Sequence, residues 1–230
     1  MPREITKTIY TFQELLDLHK AGKATSKAIE NAREWLRESA TDHDWYEFTT
    51  DCWKEALAQI GFTDAKIAFS GFWSQGDGAS FTANIDIEKL ANFLATEITP
   101  SKTIAGTPED FRPWLADKAG NHKATNAKYR RLVTLGYFLY PSKVERTSHN
   151  YSHERTCRVN IEFNTVGRAD KVEALLNEFE SDAETLRLAL CRAIYKDLEE
   201  DYDSQTSDES LTEFADGNDY TFTLGGKREG

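Results

Sequence analysis

The sequence predicts an α+β protein: a small antiparallel sheet of about four strands, arranged as two hairpins, packed against several helices, with a long C-terminal helix. Three observations carry this. Apolar residues recur at helical spacing over residues 11–61 and 169–203, but alternate with polar neighbours over 66–87 and 143–163. The resulting order of helices, hairpin, helices, hairpin and helix contains none of the strand–helix–strand units that build parallel sheets. A lone hairpin with one apolar face is marginal in water, so the two hairpins are expected to join one sheet with their turns at related edges.

The elements follow from local signals. Residues 1–11, with Ile5, Thr8, Ile9 and Tyr10, form a short strand or arm. Thr11 is a helix cap with Glu14 at the capping-box position, and Phe12, Leu15, Leu16 and Leu18 line that helix until Gly22. A second helix from about Ser26 carries Ile29, Ala32, Trp35 and Leu36. A third, started by Asp42 or Asp44, places Trp45, Phe48, Cys52, Trp53, Ala56, Leu57 and Ile60 on one face before Gly61. Trp35, Trp45 and Trp53 are expected in the core.

From Lys66, Ile67 and Phe69 alternate with polar residues, and Phe81, Ala83, Ile85 and Ile87 do so after a glycine turn. The stretch 88–140 reads as helical. It has a short helix through Leu90, Phe93, Leu94 and Ile98, an exposed connection over 99–107, and a helix from Pro108 through Trp114. A helix over Thr125–Tyr140 with a basic first half (Lys128, Arg130, Arg131) closes it at Pro141. The second hairpin points Val159, Ile161 and Phe163 inward and Arg158, Asn160 and Glu162 outward. After the long helix come a brief helix over Ser207–Phe214 and a strand at Tyr220–Leu224. The whole of 1–225 is expected to be one domain, with 226–230 a flexible tail.

At 230 residues the chain can bury a core without disulfide staples. Its three cysteines (Cys52, Cys157, Cys191) are odd in number and form no CxxC pair, which fits a reducing compartment. No stretch approaches the roughly 20 apolar residues that cross a bilayer, and the N-terminus leads into no apolar run. A cytoplasmic protein with no membrane association is expected. The net charge of −11 makes direct DNA binding unfavourable. Ten acids and no Lys or Arg lie between Asp197 and Asp219. That run is either a solvated helix end or a surface for a basic partner, with Glu199, Glu200 and Asp203 its candidate contacts.

Two turns concentrate the remaining chemistry. The run Phe69-Ser70-Gly71-Phe72-Trp73-Ser74-Gln75-Gly76-Asp77-Gly78-Ala79-Ser80-Phe81 holds far more than the two to five residues that reversal requires. It matches neither GxGxxG, a P-loop nor GxSxG. One carboxylate, Asp77, is too few for a metal site. The bland reading is an elaborate turn. The sharper one is a binding site in which Trp73, Ser74, Gln75, Gly76, Asp77 and Gly78 offer a stacking face and close backbone approach. The second turn, Ser148–Arg155, contributes His149, Tyr151 and His153 as binding candidates. The i, i+4 histidines would suit zinc in a helix, but not in a turn without a third ligand. Cys157 neighbours His153 and Arg155, yet nothing local lowers its pKa. No catalytic residue, metal ligand or cofactor is assigned.

The run "FSGFWSQGDGASF", the strand "CRVNIEF" and the segment "YKDLEEDYDSQTSDESLTEFADGNDYTFTLGGK" resemble a family of uncharacterised tailed-phage proteins, sometimes labelled antitoxin-like. The likeness covers most of residues 40–227. It implies a phage-encoded accessory protein made in the cytosol of an infected bacterium, and it transfers no mechanism. Combined with the acidic surface and exposed turns, it leads to the expectation of a non-catalytic protein that binds and modulates a host protein. That partner would have a basic or nucleic-acid-binding surface, and a homodimer is left open. The alternative is a small enzyme or a nucleotide- or small-ligand-binding protein with a cleft near the glycine-rich turn.

Overall fold

The computed structural model describes residues 7–94, 128–148, 150–163 and 170–229. The helix predicted from Pro108, the connection over 99–107 and Ile98 therefore lie outside the described residues. In chain order the first elements are α1 (Phe12–Lys20), α2 (Ser26–Ala40), α3 (Glu47–Gln59), β1 (Phe62–Ser70), β2 (Gly78–Ile85) and α4 (Ile87–Leu94). After them come α5 (Lys128–Thr134), β3 (Phe138–Arg146), a 3-10 turn (Glu154–Thr156), β4 (Cys157–Phe163) and α6 (Asp170–Gln205). The chain ends with α7 (Asp208–Gly217), β5 (Thr221–Phe222) and β6 (Arg228–Glu229). The α+β class and the long late helix are as the sequence predicts. In place of one domain over 1–225, the chain divides into two compact units, Met1–Glu47 with Glu200–Gly230, and Phe48–Glu199.

The first unit has a core of its own, which is why it separates. Phe12, Leu15, Ile29, Ala32 and Leu36 of α1 and α2 bury against Leu211 and Ala215 of α7 and Phe222 of β5. Thr11 and Glu14 form the expected reciprocal cap. Gly22, at φ +72°, ends α1 as Lys23 N–H reaches back to the Leu18 carbonyl at 2.8 Å. Arg33 grips Asp208 through two bonds of 2.8 Å. The expected tail at 226–230 is instead packed structure through Glu229. Thr223 and Lys227 close a turn, Gly226 lies against the Ala28 carbonyl, and Arg228 sits 4.7 Å from the ring centroids of Trp35 and Tyr220. Cation–π contact and backbone pairing hold these residues in place of apolar burial.

The second unit is built on one antiparallel sheet in the order β1-β2-β3-β4. Both hairpins thus share a sheet, joined through Ala83↔Val144 and Asn84↔Lys143. Strands begin earlier than Lys66 because the pairing restarts across a bulge between Thr63 and Lys66, where Asp64 takes φ +53°. Gly61 (φ +106°) permits the tight passage from α3, since a Cβ there would stand 2.8 Å from the Asp86 carbonyl oxygen. Phe62, Phe81, Ile85, Val144, Val159 and Ile161 form the buried face. Against it lies α6, whose Phe179 meets Phe138 at 5.1 Å. The opposite face is polar: Glu145 collects Arg158 at 3.0 Å, Asn160 at 3.2 Å and Lys143 at 3.3 Å.

Four expectations are corrected here. The helix over Thr125–Tyr140 stops at Thr134, because Gly136 (φ +66°) turns the chain and Tyr137 N–H bonds back to the Leu132 carbonyl. The chain then enters β3, which accommodates Pro141 in the register shift between Leu139 and Lys143. Ile87 opens α4 instead of extending β2, since Lys89 N–H is capped by Asp86. Phe48 is 77% exposed, whereas Trp53 on the same helix is fully buried. Trp53 Nε1 donates to Asp197 at 2.8 Å, so Asp197 is buried and leaves the acidic surface to which sequence assigned it.

Candidate functional site

The strand order puts the β1–β2 turn and the β3–β4 connection at the same end of the sheet, and side chains join them. Ser70 Oγ donates to the Ser152 carbonyl at 3.2 Å. The α-carbon of Gly78 faces His153 so closely that a methyl group there would stand 2.9 Å from imidazole Cδ2. Arg146 stitches the second turn from below, donating to the carbonyls of Ser148 and Tyr151 and to Ser152 Oγ. His149 lies outside the described residues. Tyr151 is 62% exposed.

The glycine turn is braced from inside. Ser74 N–H donates to Asp77 Oδ2 at 2.6 Å, and Asp77 N–H returns a bond to the Ser74 carbonyl at 3.1 Å. Gly71 (φ +44°) and Gly76 (φ +97°) supply backbone angles that other residues resist. Trp73 takes φ +65° without being glycine, a conformation costing roughly 1–3 kcal/mol. Its side chain is nonetheless 67% exposed. Phe72 is the buried-side partner, packing on Phe69 at 5.8 Å and on Tyr195 of α6 at 5.5 Å. The Trp73 N–H also donates to the Tyr195 hydroxyl, whose pKa is raised, first by burial and then by Glu199 and Asp77.

The histidine of this end is committed. His153 Nδ1 accepts from Arg155 N–H at 3.2 Å, and Nε2 faces Glu154 at 3.1 Å. Glu154 also faces Arg192 at 3.5 Å. With both nitrogens occupied, the ring acts as a brace for the turn. Among the described residues no group of three or more His, Cys, Asp and Glu side chains is placed to hold a metal ion. A shallow cavity of about 530 Å³ lies on the polar sheet face among Asp64, Lys66, Thr82, Asn84 and Lys143; none of its lining residues belongs to either turn.

Sequence reasoning missed a buried cluster just beneath. Arg187, 1% exposed, donates from Nη1 to Cys157 Sγ at 3.1 Å and to Cys191 Sγ at 3.6 Å. Glu184 neutralises it through bonds of 2.6 and 2.9 Å. The hydrogen bond from Cys191, then Arg187 and the Phe81 N–H, bring the Cys157 pKa down to about 6 against its burial. The Cys191 thiol is pushed up, first by donating that bond and then by burial. Arg187 and Cys191 share one face of a long apolar-patterned helix, and sequence offers no sign that β4 meets them there.

Of the acidic candidates, Glu199 belongs to this unit and is half-buried, while Glu200 and Asp203 are exposed residues of the other unit. Asp208 in the same run is taken by Arg33.

The site end of the sheet thus consists of two braced turns, with Trp73 and Tyr151 exposed on them. Residues 45–208 match a family described as "Domain of unknown function (DUF8835)", and the chain belongs to that family. The match contains the whole of the sheet-bearing unit. No curated protein matches the chain, and no solved structure does. No described helix is long and apolar enough to cross a membrane.

Proposed function

We propose that this is a non-catalytic binding protein, encoded by a phage, that grips and modulates a protein of its bacterial host in the cytosol. Trp73 carries this reading. The chain holds a tryptophan in a costly backbone conformation, in a turn braced by Asp77 and Ser74, and leaves its ring 67% exposed with Phe72 against it at 5.7 Å. Strain of that kind persists where surroundings over-determine it, and is used at ligand clamps and switches. Tryptophan and tyrosine are the residues that dominate interface energetics. Tyr151 on the adjoining turn is a second anchor.

The partner is expected to be basic. Net charge is −11, and Glu200 and Asp203 add an acidic surface on the other unit that would steer a basic protein. Affinity capture with tagged wild type and Trp73→Ala from host cells tests the proposal, followed by binding of the purified partner. A partner held by wild type and lost by at least about tenfold in the variant supports it, since a hot-spot aromatic is worth 2 kcal/mol or more. Equal capture by both would overturn it.

A further inference from the structure

Two thiols from distant parts of the sheet-bearing unit share one buried guanidinium nitrogen. Cys157 opens β4 and is 3% exposed; Cys191, on α6, is fully buried. Arg187 Nη1 donates to the Cys157 sulfur at 3.1 Å and to the Cys191 sulfur at 3.6 Å, and the Cys157 sulfur also stands 4.0 Å from the Glu154 carbonyl oxygen. A guanidinium held against a sulfur stabilises its thiolate. The positive guanidinium beside both sulfurs also disfavours a cation there. Arg187 further ties the cluster to the 3-10 turn by donating to the Glu154 carbonyl at 2.6 Å.

We infer that Cys157 and Cys191 form a peroxide-oxidisable dithiol, in which Cys157 is the attacking thiolate and Cys191 the resolving thiol. The Cys157 thiolate attacks one oxygen of a hydroperoxide, the O–O bond breaks, and the departing oxygen leaves as water or alcohol after taking a proton. Cys157 is then a sulfenic acid. The Cys191 sulfur displaces its hydroxyl, the S–S bond forms, and a second water leaves with the Cys191 proton. Two thiols have lost two electrons, and the peroxide has gained them. Transient disulfides of this kind are the sort that reducing compartments use for sensing. Burial makes the reaction slower than that of an exposed thiol, since Cys157 is 3% exposed and Cys191 fully buried.

Hydrogen peroxide acting on the reduced, folded full-length Cys52→Ser variant tests this, followed by alkylation and intact-mass analysis. One intramolecular, dithiothreitol-reversible link between the peptides holding Cys157 and Cys191 is expected. In Cys191→Ser, dimedone should trap the sulfenic acid on Cys157; in Cys157→Ser no such adduct should form on Cys191. Arg187→Met, if its melting curve shows a folded protein, should react at least about tenfold more slowly, the factor one pKa unit represents. Two free thiols remaining after oxidation of the folded protein, links between separate chains, or a disulfide that forms only in urea would each overturn the inference.

Discussion

Gly78 and His153, in two turns far apart in sequence, touch at the end of the sheet. A methyl group on Gly78 would stand 2.9 Å from imidazole Cδ2 and 3.1 Å from the His153 α-carbon. The second of those atoms is backbone and cannot swing aside. The contact makes one surface of two hairpins, and its tightness is what excludes a side chain at position 78.

Gly78→Ala is therefore expected to push the two turns apart. Overpacking of this kind costs about 1–3 kcal/mol. The chemical denaturation midpoint should fall while the far-ultraviolet spectrum keeps its shape, and His153→Ala in the same chain should restore part of the loss. An Ala at position 78 without effect on stability would mean the turns are not in contact in solution.

The pair Trp53 and Trp73 should behave oppositely. Trp53→Ala removes a fully buried ring and leaves Asp197 buried without its indole donor. A loss of about 3–5 kcal/mol is expected from the cavity alone. Trp73→Gly removes an exposed ring and relieves a positive φ that glycine adopts freely, so stability should stay within about 1 kcal/mol of wild type or rise. Equal and large falls in Tm for both variants would move Trp73 into the core.

These contrasts show what was legible beforehand. The capping box at Thr11, the two hairpins and the inward set Val159 and Ile161 follow from local spacing, which physical chemistry reads over a few residues. That the hairpins share a sheet followed from the marginal stability of either alone. What failed depended on distant partners. Pro141 sits in β3, where a bulge, not a helix end, absorbs it. The packed end at Arg228 depends on Trp35 and Tyr220, and the setting of Cys157 depends on Cys191 and Arg187 of α6. Trp73 was readable as a surplus aromatic in a turn, but its positive φ was not.

Gly226 gives a sharp test of the packed C-terminal end. A Cβ there would overlap the Ala28 carbonyl oxygen, a backbone atom, at a φ of +76°. Gly226→Ala should cost about 1–3 kcal/mol or detach the turn. Hydrogen exchange at Thr223 and Lys227, whose backbones pair at 2.8 Å, should then rise sharply. Unchanged protection would show that these residues fray in solution.

The Arg33–Asp208 pair sets an acid limit on the first unit. The hydrogen bond from Arg33, opposed by burial, holds the Asp208 carboxyl below its ordinary value. Its contribution is thus present above the unfolded pKa of about 3.9 and is lost as pH falls through the lower folded value. Asp208 is about half exposed, so the pair is worth no more than about 1 kcal/mol. Asp208→Asn should lower stability at pH 7 by that small amount and flatten the acid-side slope. A variant whose acid transition matches wild type would show that the pair contributes nothing.

The acidic surface is separable from the turns by salt. Glu200 and Asp203 are exposed and belong to the other unit, so reversing them to lysine should leave the sheet end intact. If they steer a basic partner, the variant should associate more slowly at low salt and converge on wild type as screening shortens to about 10 Å near 0.1 M. Such a change belongs mainly to the association rate, because rim charges act before contact. Trp73→Ala should act in the other way, raising the dissociation rate at every salt concentration, since a buried anchor acts after contact. Stopped-flow or surface-based kinetics on the three proteins at two ionic strengths would resolve both effects. Salt-independent association of wild type, unchanged by the charge reversals, would leave the acidic run as a solvated helix end and assign recognition to the two turns alone.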